Sequence, residues 1–215
     1  ELQNLEGQRG KIEIPDGATA DRIVSDLRPA TYRVADVRKR ETLRRPAAPF
    51  RTSTMQQEAS RKLRFTARRT MTVAQQLYEG LPVAGGDPVG LISYMRTDSI
   101  SMATEAVQEA RGVIEARYGK DAVPARPKTY QNMVQGAQEA HEAIRPTSFA
   151  RDPESLRDSL QREQWNLYNL IWQRAISSQM ADARFDQTSV DIAARETPSG
   201  DTYLLRATGS IMTFA

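Results

Sequence analysis

The chain contains no cysteine among its 215 residues, which excludes disulfides and thiolate metal ligands. Its single histidine, His141, rules out the paired-histidine zinc motif, because His-Glu-x-x-His needs a second imidazole. Lysine is scarce: five (Lys11, Lys39, Lys62, Lys120, Lys128) stand among thirty basic residues, an arginine bias of the kind a GC-rich bacterial genome produces. No run of about 18 apolar residues occurs, so no segment reads as a membrane span. The N-terminus lacks the basic-then-apolar pattern of a signal peptide. No internal repeat or low-complexity tract is visible. These absences fit a reducing cytoplasm without requiring one.

What is present reads as globular: 39% hydrophobic and 27% charged residues, enough chain for one or two domains. The net charge of +3 hides an asymmetry. Between Arg28 and Thr70 stand thirteen Lys/Arg against Asp36, Glu41 and Glu58, so this stretch carries +10 and the remainder −7. Neutralising phosphates releases counterions, and a cationic stretch of this density suits a polyanion. A solvated basic face has the same composition, so charge alone leaves both readings open.

Periodicity predicts an α+β chain. Residues 1–48 look strand-rich, with Lys11–Ile14 and Thr31–Arg40 as candidate strands. Arg45–Phe50, with two prolines, reads as a connector. Thr54-x-x-Gln57 fits a capping box opening a helix to about Leu63. A second helix runs over Thr70–Glu79 and stops at Gly80, and the pair around a basic turn suits a helix-turn-helix. Leu81–Val89 reads as a loop, and Ser101 as the cap of a helix carrying Val107, Ala110 and Ile114 up to Gly119. Asp121–Lys128 reads as irregular. Pro153 opens a further helical region whose stripe of Trp165, Tyr168, Trp172, Ala175 and Ile176 is a core face, so both tryptophans are structural. Ser189–Ala193 and Thr202–Thr208 read as strands joined by the turn Pro198–Asp201.

The chemistry concentrates in Gly90–Ser99, Gly-Leu-Ile-Ser-Tyr-Met-Arg-Thr-Asp-Ser. A free tyrosine, pKa roughly 10, is a poor nucleophile at neutral pH and becomes useful beside a fixed cation. In an extended segment positions i and i+2 point the same way, so Tyr94 and Arg96 are able to meet one phosphodiester together. A Tyr-x-Arg triplet alone is common. The block around it, however, closely resembles the active-site segment of the type IA DNA topoisomerases, the bacterial topoisomerase I family. Gln138–Pro146, Gln-Glu-Ala-His-Glu-Ala-Ile-Arg-Pro, resembles that family's histidine motif. Thr52–Ala59 and Gln76–Gly80 are two further blocks in the expected order, the four spanning about a hundred residues.

The resemblance implies a function and a site. Tyr94 matches the family's nucleophile, which attacks single-stranded DNA and holds the cut strand as a 5′-phosphotyrosine. Arg96 matches the arginine beside it, and His141 the histidine near the scissile phosphate, where phosphate binding or proton transfer suits it. Without that context a lone histidine is more often a surface residue. Ser53, Thr54, Arg61, Arg64, Arg68 and Arg145 are the candidate DNA contacts, with helix capping the alternative for Arg145. The implied fold is a helical catalytic-tyrosine domain, 49–180, inserted into a smaller discontinuous β domain, 1–48 plus 181–215. The implied partners are single-stranded and negatively supercoiled DNA and the remaining domains of the same enzyme, in the bacterial cytoplasm at the nucleoid.

The family binds Mg²⁺ through a separate Toprim domain, and nothing here resembles it. No Asp-x-Asp pair or carboxylate cluster is present to ligate the ion. The expectation is therefore an ATP-independent enzyme whose excised central part lies here, without metal and inactive alone. Two readings compete: a non-catalytic single-stranded DNA-binding module in which Tyr94 stacks on a base, and a tyrosine recombinase, which one histidine serves poorly.

Overall fold

A computed structural model describes residues 2–5, 12–83, 86–130 and 142–214. The fold is α+β, and the chain divides into two compact units, 1–44 with 183–215 and 45–182.

The first unit is an antiparallel sheet with one helix. Strands β1 (Leu2–Leu5), β2 (Thr31–Arg44), β5 (Ala183–Arg195) and β6 (Tyr203–Phe214) lie in the order β1-β6-β5-β2. β2 pairs with β5 along its whole length, from Thr31 opposite Arg195 to Arg44 opposite Ala183. Lys11 lies outside the described residues, and residues 12–15 form no strand. The strand-rich reading of 1–48 also missed helix α1 (Gly17–Leu27). Its start is set by Asp16, whose carboxylate accepts from the Thr19 N–H at 2.7 Å and so satisfies an orphan donor of the first turn.

α1 buries Ile23 against Ala194 and Tyr203. Beside them Asp26 is 3% exposed and accepts from the Tyr203 hydroxyl at 2.6 Å and from the Ser199 hydroxyl and N–H at 2.7 and 3.2 Å. The Tyr203 and Ser199 donors, helped by the Arg22 charge, hold the Asp26 carboxyl below the usual range, against the opposing effect of burial. Burial first, then the bond to Asp26, pushes the Tyr203 phenol up to about 12. A depressed carboxyl contributes stability that is present above its unfolded value, near 3.9, and is lost as pH falls through the lower folded value. Asp26→Asn is therefore expected to lower the melting midpoint at pH 7 and to flatten the acid limb below about pH 4. Equal midpoints for the two proteins from pH 3 to pH 7 would refute this.

The second unit is helical: α2 (Thr52–Leu63), α3 (Ala67–Glu79), α4 (Thr104–Tyr118) and α5 (Arg162–Ser178), with a two-stranded β3 (Leu81–Pro82) and β4 (Pro88–Val89) where a loop was expected. α5 carries the core, burying Leu167, Tyr168, Ile171, Trp172 and Ala175 against α2 and α3. Both tryptophans are anchored by their indole N–H, Trp165 to the Pro153 carbonyl at 2.7 Å and Trp172 to the Phe149 carbonyl at 3.1 Å. α4 begins at Thr104 with Ala103 at its cap, so Ser101 is not the cap. The Ser101 carbonyl instead accepts from the Ala143 N–H at 2.8 Å.

Candidate active site

Four segments distant in sequence meet around Ser93–Thr97. The Ser93 hydroxyl donates to the Ala143 carbonyl at 2.7 Å, its N–H bonds the Arg145 carbonyl at 2.9 Å, and the Arg145 N–H returns to the Ser93 oxygen at 3.0 Å. Ile92 bridges Pro146 and Phe50 bridges Ile144, so the tail of the histidine motif is laced between two other strands of chain. From α3, the Leu77 carbonyl accepts the Leu91 N–H at 2.7 Å. From α2, the Thr52 hydroxyl lies 2.8 Å from the Met95 carbonyl and 3.1 Å from the Thr97 carbonyl, and accepts the Thr97 N–H at 2.9 Å. The described parts of the four blocks read from the sequence thus meet at one segment.

Burial alternates along the segment: Tyr94, Arg96 and Asp98 are exposed, while Met95, Thr97 and Ser99 are buried. The buried residues fasten the backbone, and the alternation delivers the phenol and the guanidinium to solvent. Tyr94 is 46% exposed. Its ring meets that of Tyr78 edge-on, centroids 5.4 Å apart at 64°, which fixes the ring and leaves the hydroxyl outward. Among the described residues neither Tyr94 nor Arg96 has a hydrogen-bond or ion-pair partner. Gly90 is required where it stands: a Cβ there would lie 2.8 Å from the Tyr78 carbonyl oxygen, closer than packing allows.

The other candidates are placed differently. Thr54 is not the cap of α2; the helix starts two residues earlier, and the Thr54 hydroxyl takes the Arg51 N–H at 3.1 Å. Ser53 is exposed in the first turn. Arg61 pairs with Glu58 at 3.1 Å. Arg64 ends α2 with φ of 62°, in a turn closed by the Phe65 N–H on the Ala59 carbonyl at 3.3 Å, and Arg68 is exposed in the first turn of α3. α2 and α3 form a tight helical corner here. Arg145 is turned inward: 16% exposed, it bonds the Glu142 carboxylate at 2.7 Å and the Pro146 carbonyl at 2.9 Å. Residues 142–146 themselves form no helix. His141 lies outside the described residues. The basic stretch Arg28–Thr70 is divided: its cations up to Arg44 belong to the sheet unit, where Arg38 pairs with Asp36 and Asp191 and Arg40 bonds Gln187, and the rest belong to the helical unit.

Sequence reading passed over Thr52, Tyr78 and Gly90. Tyr78 and Thr52 lie inside recognised blocks, but nothing local marks a hydroxyl whose partners are more than forty residues away. Removing it isosterically tests its role. Thr52→Val leaves the Thr97 N–H and the Met95 carbonyl short of a partner, while the Thr97 carbonyl keeps the Thr52 N–H, and is expected to cost about 1–3 kcal/mol in denaturant unfolding, with Thr52→Ser recovering most of it. Equal stability of Val and Ser variants would show that these bonds contribute nothing.

Among the described residues no group of three His, Asp or Glu side chains is placed to hold a metal ion. The segment presents an exposed phenol and an exposed guanidinium side by side in sequence.

The chain is similar to known proteins along nearly all of its length. A family model described as DNA topoisomerase matches residues 3–214. DNA topoisomerase 1 of Xylella fastidiosa strain 9a5c is 45% identical over 213 residues, covering 97% of this chain and 26% of the relative. The Helicobacter pylori protein of the same name is 44% identical over 197 residues, 91% of this chain and 27% of its own length. In structure, full-length topoisomerase I from Thermotoga maritima superposes with a TM-score of 0.73 at 32% identity, over 99% of this chain and 34% of that one. The chain belongs to the bacterial DNA topoisomerase family. It spans about a quarter of the length of the curated relatives it matches.

Proposed function

We propose that the protein carrying this chain is a type IA DNA topoisomerase and that Tyr94 is its nucleophile. The observation that supports this most is the shared exposure of Tyr94 and Arg96 on a segment fastened from α2, α3 and residues 143–146. The Tyr94 oxygen attacks one phosphorus of single-stranded DNA. The bond from phosphorus to O3′ breaks, the phenol proton is given up, and the departing O3′ takes one up as a 3′-hydroxyl. The 5′-phosphotyrosyl bond keeps the energy of the broken one, so religation needs no ATP. Arg96 stabilises charge on the non-bridging oxygens as a guanidinium fork does. His141 is the candidate proton carrier or phosphate ligand. Passage of a second strand before religation relaxes negative supercoils.

Ser53, Thr54, Arg61, Arg64 and Arg68 are proposed to line the strand's path, their cations meeting phosphates. Arg145 is proposed to act beside Ser93, through its bond to Glu142, more than by direct contact with DNA. We assign the domains as 1–48 with 181–215 and 49–180. Mg²⁺, which the type IA resemblance implies, finds no fitting ligand set among the described residues. Its binding is assigned to a Toprim domain elsewhere in the whole protein, and the chain alone is expected to leave plasmid topology unchanged. Among the described residues no helix is long and apolar enough to cross a membrane, and the proposed place of action is the bacterial cytoplasm, at the nucleoid.

The non-catalytic alternative draws on the half-exposed Tyr94 ring, which is able to stack on a base. The experiment that separates the two uses the whole protein with Mg²⁺ and end-labelled single-stranded DNA. A band of DNA bound covalently to protein after denaturation supports the enzyme; binding with no covalent product supports the module.

A further inference from the structure

Helix α2 presents one face of which the catalytic reading uses only Ser53 and Arg61. Ser53, Gln56, Gln57, Ser60 and Arg61 recur at i, i+3, i+4, i+7 and i+8, a single stripe of a 3.6-residue helix, opposite the fully buried Met55 and Ala59. With Phe65 across from them they line an open groove of about 600 Å³. In a chain with 27% charged residues, a merely solvated helix face would carry Glu, Lys and Arg. Four of these five are instead neutral hydroxyls and amides, and among the described residues none of these four side chains has a hydrogen-bond partner. The one carboxylate of the helix, Glu58, is held by Arg61 at 3.1 Å and Lys62 at 3.3 Å.

We propose that this stripe reads base edges of the single strand that Tyr94 attacks, with Gln56 and Gln57 as the reading residues, and so determines where that strand is cut. The inference rests on the nucleophile assignment for its meaning, and on the groove alone for its chemistry. A carboxamide offers a donor and an acceptor side by side, the pair needed to meet a base edge. An unpaired strand leaves its Watson–Crick edges open to such contacts. The stripe begins next to the active segment, because Ser53 follows Thr52, which is bonded to the carbonyls on either side of Arg96. From Ser53 to Arg61 it runs about 12 Å, the reach of about three to four stacked nucleotides. Arg61, Arg64 and Arg68 continue it with cations for the phosphates, which neutral side chains cannot neutralise.

The test compares wild type with Gln56→Ala and Gln57→Ala on single-stranded oligonucleotides carrying a block of randomised positions. The 215-residue chain is used to select bound sequences at low salt, and the whole protein to trap covalent products, whose ends are sequenced. Melting curves check that both substitutions, at half-buried Gln56 and exposed Gln57, leave the fold intact. Wild type is expected to enrich particular bases at one or two adjacent positions by about five- to tenfold, and either substitution to flatten that profile in both pools, whatever the yield. A profile unchanged by both substitutions, or a wild-type profile with no preference, overturns the base-reading role. A covalent product that is absent from wild type overturns the nucleophile assignment instead, and the bound pool still decides whether Gln56 and Gln57 read bases.

Discussion

Tyr94→Phe in the whole protein is expected to abolish the covalent DNA product while leaving the fold as it was. The substitution removes one oxygen. That oxygen has no hydrogen-bond partner among the described residues, so its loss strands no buried donor or acceptor. The edge-on contact with Tyr78 is made by ring carbons and survives in phenylalanine. The melting midpoint is expected to stay within about one degree, in line with surface substitutions that cost no more than about 0.5 kcal/mol. What disappears is the atom that forms the bond to phosphorus, and a covalent mechanism without its nucleophile has no second route through the same intermediate. Phosphotyrosine should be recoverable from a digest of the wild-type adduct and not from the variant. A Phe variant that still traps DNA through a covalent bond would move the nucleophile elsewhere and dismantle the proposed mechanism.

Arg96→Ala is expected to slow single-turnover cleavage by about 10²- to 10³-fold, the usual cost of removing one preorganised group aimed at developing charge. The geometry separates this from a folding effect. Arg96 is exposed and without an ion pair among the described residues, and the fastening bonds of its segment belong to Met95 and Thr97. Ground-state binding of single-stranded DNA should fall little, with the salt slope reduced by about one for the single lost phosphate contact. Arg96→Lys keeps the charge but not the planar fork and should recover only part of the rate. Cleavage by the Ala variant at the wild-type rate would remove Arg96 from the chemistry.

Much of the secondary structure was legible because it depends on local rules. The helix ending at Leu63, the one ending at Glu79 before Gly80, and the apolar stripe from Trp165 to Ile176 all follow from periodicity and punctuation. Both late strands were found, though each extends further than its apolar alternation: β5 runs Ala183–Arg195 and β6 Tyr203–Phe214, carried by cross-strand pairing. Helix α1 was missed, since only its cap and the burial of Ile23 and Asp26 distinguish Gly17–Leu27 from a polar linker. Starts erred for a related reason: Thr54 and Ser101 look like caps, but α2 begins at Thr52 and α4 at Thr104, because backbone bonds to Thr97 and Ala143 place those segments.

The sequence by itself determined which residues are candidates for the chemistry and in what order. Tyr94 and Arg96 two positions apart and three supporting blocks are properties of the string. It also determined the family, since blocks of that specificity do not need a fold to be recognised. Tertiary structure decided the rest. It brought Thr52, Tyr78 and Ala143–Arg145 to one segment, turned Arg145 inward to Glu142, and divided a basic run of 43 positions between two units. The physical reason is that composition and periodicity act between neighbours in the chain. Hydrogen bonds and burial act between neighbours in space, and the hydroxyl that fastens the residues on either side of Arg96 sits in α2, more than forty positions away.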